Sequence, residues 1–269
     1  MSLINPEHDN QKYKKPLKKA KIGFEIELHL IDEGGRIQNK APDLINEVKK
    51  RDKDVLIVKE CGKNMIEVCS YPDVATYNPA LHLVDSLEKV YDVARGMGLY
   101  LYPFAVYPLE FKEELSSNSY RLQEKIFGKD KFKIATNCTG FHCHYTLPKS
   151  VFDFKIKNLR VLKGTKLGRS MIGSYNLGVA IDPALSLFAQ SSPFYKGSHL
   201  AKDSRVVVYR GGAKLRYSGG LYSKKQQFGG LPPYKQTLTD LVDSQKRKWE
   251  RWKRLVKKTN PRIDINKLY

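Results

Sequence analysis

Residues Ile22, Phe24, Ile26, Leu28 and Leu30 are apolar, while the positions between them include Glu25, Glu27 and His29. Alternation with a period of two marks a half-buried β-strand over 22–31, with one face in a core and the other carrying two carboxylates and an imidazole in a row. The strand ends at "DEGGR", where Gly34 and Gly35 supply a turn. A short helix is predicted near 42–51. The stretch "DVLIVKECGKNMIEVCSYP" reads as a hairpin folded at Cys61–Asn64. "NPALHLVDSLEKVYDVARGMG" is an amphipathic helix with Pro near its start and Gly at its end. Further strands are predicted over 99–107 and over 133–147, the latter holding "TNCTGFHCHYTL". "NLGVAIDPALSLFAQ" is apolar enough for a buried helix, and "TLTDLVDSQKRKWERWKRLVKK" reads as a long basic helix over 237–258 capped at Thr237 or Thr239.

Strands and helices without a steady βαβ alternation predict an α+β domain with a mainly antiparallel sheet, spanning 21–269. Residues 1–20 are polar, basic and punctuated by Pro, the composition of a mobile arm. The net charge of +20 attracts polyanions, and it is concentrated in the first 21 residues and in "KRKWERWKRLVKK" near the end. Solvated faces are the plainer reading of both stretches, so nucleic acid is an allowed partner but not the favoured one. No run of about 18 apolar residues exists to span a membrane. The first 20 residues lack the apolar core of a secretory signal, which predicts a cytoplasmic protein. Four cysteines without a CxxC pair are read as reduced thiols.

Period-two geometry also organises the later segments. In the hairpin Met65 and Glu67 share a face and Glu60 sits across from Met65, so Glu60 and Glu67 are diagonal neighbours, about 7–8 Å apart at the backbone. Over 133–147 the same rule puts Cys138, His142 and His144 on one side and Phe141, Cys143 and Tyr145 on the other. If these faces meet in one cleft, four carboxylates repel one another unless cations sit among them. Carboxylate oxygens in that number suit Mg²⁺, and a histidine extends the set to Mn²⁺. A Zn²⁺ site of Cys138, His142 and His144 with a water is an alternative, although that spacing on a strand is poor tetrahedral geometry. The sequence holds no Walker-type P-loop, no G-x-G-x-x-G and no G-x-S-x-G.

In order, "GFEIELHLID", "KECGKNMIEVCSYP", "TGFHCH", "LSLFAQSSPFYKG" and "DSR" resemble the glutamate-cysteine ligase family of the second type, including its carboxylate-amine ligase branch. The similarity runs from about residue 21 to residue 243. The resemblance implies a glutamine synthetase-like fold, a curved antiparallel half-funnel with helices outside and acidic side chains inside. It implies an ATP-dependent ligase that joins a glutamate-like carboxylate to an amine through an acyl phosphate, with Mg²⁺ or Mn²⁺ as cofactor. Carried over by position, Glu25, Glu27, Glu60, Glu67 and His142 resemble metal ligands, and His144 a contact to ATP phosphate. Tyr120, Arg121 and Arg205 resemble substrate-side positions, with Glu27 and Arg205 nearest the chemistry. Arg210, five residues past Arg205, faces elsewhere.

Members of that family continue past the helix matching 237–243 into a further strand bearing a glutamate and an arginine. Here that helix turns basic, bears Trp249 and Trp252, and is followed by "NPRIDINKLY". A fragment, a strand donated by a homo-oligomer or a complementing chain, or a scaffold without turnover are the resulting expectations. In the last case the alternative function is an inactive or reassigned homologue that binds nucleic acid or another polyanion through its basic termini.

Overall fold

The structure of the protein, a computed structural model, describes residues 20–145, 152–153, 158–159 and 165–265. Residues 1–19 of the basic arm and the last two positions of the strand expected over 133–147 lie outside the described residues. The described chain is mixed α and β, and its main sheet is open, antiparallel and five-stranded. Strand β1 (Ile22–Ile31) forms as its alternation predicts and holds the centre. A helix follows, α1 (Ala41–Arg51), then the hairpin of β2 (Leu56–Lys59) and β3 (Met65–Cys69). The hairpin register pairs Val58 with Glu67 and Lys59 with Ile66, which carries Glu60 to the place opposite Met65. β3 flanks one edge of β1 with Glu27 opposite Glu67.

Helix α2 (Tyr77–Gly96) and α1 pack on the same side of this sheet. Leu28 and Leu30 of β1, Ile57 of β2 and Ile66 and Val68 of β3 meet Leu44, Val48, Leu83 and Val90 there, and burying these branched side chains drives the closure. Beyond α2 only Tyr100–Tyr102 form a strand, β4, on the second edge of β1. The expected strand over 99–107 stops there because Pro103 has no N–H for a ladder; Val106 keeps a single bridge to Cys138.

Helices α3 (Asn118–Phe127) and α4 (Lys129–Asn137) come next, and β5 (Phe141–Tyr145) then pairs the N-terminal half of β1. The strand expected from residue 133 is therefore helical as far as 137. Phe132, Ile134 and Thr136 alternate as a strand would, but all three are buried on α4 because the helix end is enclosed on several sides. Cys138 consequently sits at the end of a helix and is buried with Met65, Phe132 and Val208, off the strand that carries His142 and His144.

Two short pairs, β6 (Phe152–Asp153) with β7 (Asn158–Leu159) and β8 (Phe194–Tyr195) with β9 (Ser198–His199), flank α5 (Lys166–Phe188) in the chain. Helix α5 is not buried as expected. Leu177 is 60% exposed and Phe188 87% exposed, because its apolar side chains are spread around the helix: Val179 is buried and Met171 packs with Leu167 and Leu238, while Ile181, Leu185 and Leu187 stay exposed. Helices α6 (Ser204–Arg210), α7 (Gln226–Gly229) and α8 (Leu238–Thr259) complete the described fold. Thr237 caps α8 with a capping box: its hydroxyl accepts from the Asp240 N–H at 3.1 Å while Asp240 accepts from the Thr237 N–H at 3.1 Å. No described helix is long and apolar enough to cross a membrane.

Helices were expected on the outer face alone, yet α4 and α6 cover part of the opposite face. His29, on that face, is fully buried as a result. Its Nε2 donates to the Asn137 carbonyl at 3.0 Å and its Nδ1 accepts from the Asn64 amide at 3.0 Å, fixing a neutral tautomer. Burial lowers its pKa to about 4. His29→Leu removes two buried hydrogen bonds, while the Asn137 carbonyl keeps the Tyr107 N–H and the Asn64 amide keeps the Thr136 carbonyl, and it is expected to cost about 1–3 kcal/mol, read as a lower midpoint in urea with an unchanged slope. Because the unfolded chain holds the extra proton between the two pKa values, this histidine also removes stability as pH falls from about 6.5 towards 4.

Candidate functional site

The far end of the same sheet face stays open, and the titratable rows converge on it. β1 contributes Glu25 and Glu27, β3 contributes Glu67, and β5 contributes His142, which pairs directly with Glu25, and His144. The His144 Nε2 lies 2.7 Å from Glu25 Oε2, and His142 bridges the two β1 carboxylates, 3.6 Å from Glu25 and 3.8 Å from Glu27. Ligand atoms of Glu25, His142 and His144 lie within 4.8 Å of one another, as do those of Glu25, Glu67 and Cys69. Among the described residues Cys138 belongs to no such group, so the Cys138–His142–His144 zinc set does not assemble.

Glu60 enters from the turn of the hairpin, where the Tyr120 hydroxyl of α3 donates to its carboxylate at 2.6 Å. Arg205 enters from the first turn of α6. Its Nε donates to the Thr139 carbonyl at 2.7 Å and its guanidinium lies over the Tyr209 ring at 4.9 Å, so the group is held while its charge faces Glu27. Arg210 instead pairs with Asp182 of α5 at 3.1 Å. Arg121 is exposed on α3, and none of these contacts involves it.

The carboxylates strain against one another. Burial and the charge of Glu60 raise Glu27 to about 7 against the opposing pull of Arg205. Burial, a hydrogen bond with Glu25 and the charges of Glu25, Glu60 and Glu27 raise Glu67 to about 8. Burial acts to raise Glu25 as well, but the Glu67 hydrogen bond and the charge of His144 outweigh it and leave the group below its ordinary value. The proton of this pair is therefore favoured on Glu67 and disfavoured on Glu25. Replacing that proton with a dication is the arrangement these donors suit: carboxylate oxygens with two imidazoles fit Mg²⁺ or Mn²⁺.

Beside Glu27 and Glu60 lies a cavity of about 140 Å³, walled by Met65, Phe127, Phe132, Tyr209 and Tyr222 among others. Cys61 also borders it, and burial with the charge of Glu60 pushes its thiol far above the usual range. Cys69 is raised to about 12 by burial and the Glu67 charge. Neither thiol supplies a nucleophilic thiolate at neutral pH.

Two further contributors were not among the residues expected from the sequence. Gly140 accepts from the Glu27 N–H at 2.9 Å, and a Cβ on it would meet the Arg205 guanidinium at 3.0 Å and the His142 ring at 3.1 Å. Cys69 faces Glu25, which the β1–β3 register of period two would have revealed. Gly140→Ala is expected to push His142 and Arg205 apart and weaken Mn²⁺ binding at least tenfold with little change in thermal midpoint, measured by titration calorimetry beside a melting curve. No protein-family model and no curated protein matches the sequence.

Proposed function

We propose that this chain is an ATP-dependent ligase that joins a glutamate-like carboxylate to an amine, on a sheet related to that of glutamine synthetase. The observation that carries the reading is the convergence of Glu25, Glu27, Glu67, His142 and His144 on one open sheet face, with Glu60 and Arg205 at its border. Burial, with the charges of the neighbouring carboxylates added to it, raises Glu27 to about 7 and Glu67 to about 8, and a cation among them would relieve both effects, which supports this reading.

In this reading Glu25, His142 and His144 hold one divalent ion, and Glu67, Glu27 and Glu60 hold the rest of the cation shell. A divalent ion such as Mg²⁺ or Mn²⁺ held by these residues would supply positive charge against the triphosphate. Arg205 offers a planar fork to the substrate carboxylate and then to the acyl phosphate made from it. The transferred phosphoryl turns a poor electrophile into a reactive one, the amine attacks the acyl carbon, and phosphate leaves. Tyr120 orients Glu60 by its short hydrogen bond. The protonated thiols at the border leave no side-chain nucleophile to compete, which favours direct condensation over a covalent enzyme intermediate.

The test is release of ADP and phosphate in Mg²⁺, with glutamate and a panel of amines. Turnover that requires both a carboxylate and an amine supports the ligase. ATP hydrolysis indifferent to both, or none across the panel with Mn²⁺ bound, sinks it.

A further inference from the structure

A second concave region lies on the outer side of the wall that closes the cavity beside Glu27. Phe127 and Tyr222 belong to both. The outer cleft, of about 420 Å³, runs between α3, α7 and α8, and Phe228, Trp249 and Trp252 complete its aromatic lining. The rings brace one another: Trp252 stacks on Phe127 at 6.5 Å and 22°, and Phe228 meets Trp252 edge-on at 6.1 Å. Trp249 at the mouth is 41% exposed. The amides of Gln123 and Gln245 and the ammonium of Lys248 sit among these rings.

Phe127 is shared again with a neighbouring hollow of about 290 Å³ that carries Lys129, Lys131, Lys224 and Lys225 against a single acid, Asp130. The lysines crowd one another there. Burial and the charges of Lys224 and Lys225 lower the Lys131 ammonium, and Lys225 leans over the Phe127 ring at 5.7 Å. An aromatic cleft with amides for base edges, joined through one ring to a hollow of positive charge, matches a chain of flat bases on a phosphate backbone. The segment from Lys246 to Lys258 adds eight basic residues against one acid, within a chain of net charge +20, and steers such a polyanion inward.

We propose that this cleft and hollow bind single-stranded nucleic acid, with bases stacked on Trp249 and its aromatic neighbours and phosphates on the lysine hollow. A duplex keeps its bases stacked inside and offers the rings nothing. A lone nucleotide reaches too few of these groups to bind as tightly as a strand.

The chain has only two tryptophans, and both line the cleft, so quenching of intrinsic fluorescence reports this place alone. The full chain, without ATP or metal, is titrated with fluorescein-labelled oligo(dT) followed by anisotropy, and with unlabelled oligo(dT) and dTMP followed by tryptophan emission. Oligo(dT) is expected to quench and bind, with log affinity falling against log salt by about 0.7 per phosphate engaged. Trp249→Ala should weaken binding roughly tenfold, while Trp249→Phe keeps most of it. Lys224→Ala with Lys225→Ala should flatten the salt slope by about twice that 0.7. The proposal is overturned if oligo(dT) leaves the tryptophans unchanged, if dTMP or a duplex binds as tightly, or if Trp249→Ala and Trp249→Phe, both folded by circular dichroism, bind alike.

Discussion

Glu27→Gln is expected to lower carboxylate- and amine-dependent ADP formation by at least a thousandfold while leaving the fold intact. The carboxylate lies on β1 between His142 and Arg205 and beside the cavity, so in the proposed ligase it would face both the cations and the substrate. An amide of the same shape keeps the strand and the packing but removes the negative charge that a cation would need. It also removes repulsion with Glu60 and Glu25, so melting without metal should be unchanged or slightly higher. A variant that loses turnover because it unfolds would melt lower, and a variant that keeps turnover would remove Glu27 from the mechanism. Mn²⁺ titration of the same variant separates the two parts, since weaker metal binding should accompany the loss.

The second large effect is on pH. Glu67 and Glu27 have folded-state pKa values raised to about 8 and about 7 from an ordinary value near 4.5. Between those limits the native chain holds protons that the unfolded chain has released. Stability from these groups is therefore complete below about 4.5 and is lost as pH rises through 7 and 8. Without metal, the melting temperature should fall from pH 6 to pH 9 by several degrees. Saturating Mn²⁺ should cancel the fall, because the ion replaces the proton and binds more tightly as the protons leave. Metal affinity should rise across the same interval with about two protons displaced at pH 6, one from each carboxylate. A melting temperature that is flat from pH 6 to pH 9 in chelator would mean the carboxylates do not crowd as described.

Much of this site could be seen in the chain before any coordinates, because a strand translates sequence into faces without help from distant residues. Glu25 and Glu27 were placed by the alternation of β1, and Glu60 opposite Met65 by the turn at Cys61–Asn64. His142 and His144 share a face for the same reason. Residues that depend on chain connections were not legible in that way. His29 alternates with the glutamates yet is buried, because α4 ends over it and the Asn137 carbonyl claims its proton. Phe132, Ile134 and Thr136 show the converse: their spacing suits a strand, but the helix from Lys129 is enclosed on enough sides to bury all three. Gly140 shows itself only through what a side chain there would strike. The apolar run of α5 proclaims hydrophobicity without a direction, and a direction is what burial requires.

The central position of β1 gives its acidic row a further duty. A slip of one residue against β3 or β5 would exchange the two faces of the strand and drive Glu25 and Glu27 beneath α1 and α2, among Leu44, Val48 and Val90. Uncompensated carboxylates in hydrocarbon are prohibitive, so this acidic row also proofreads the pairing of the strand that carries it.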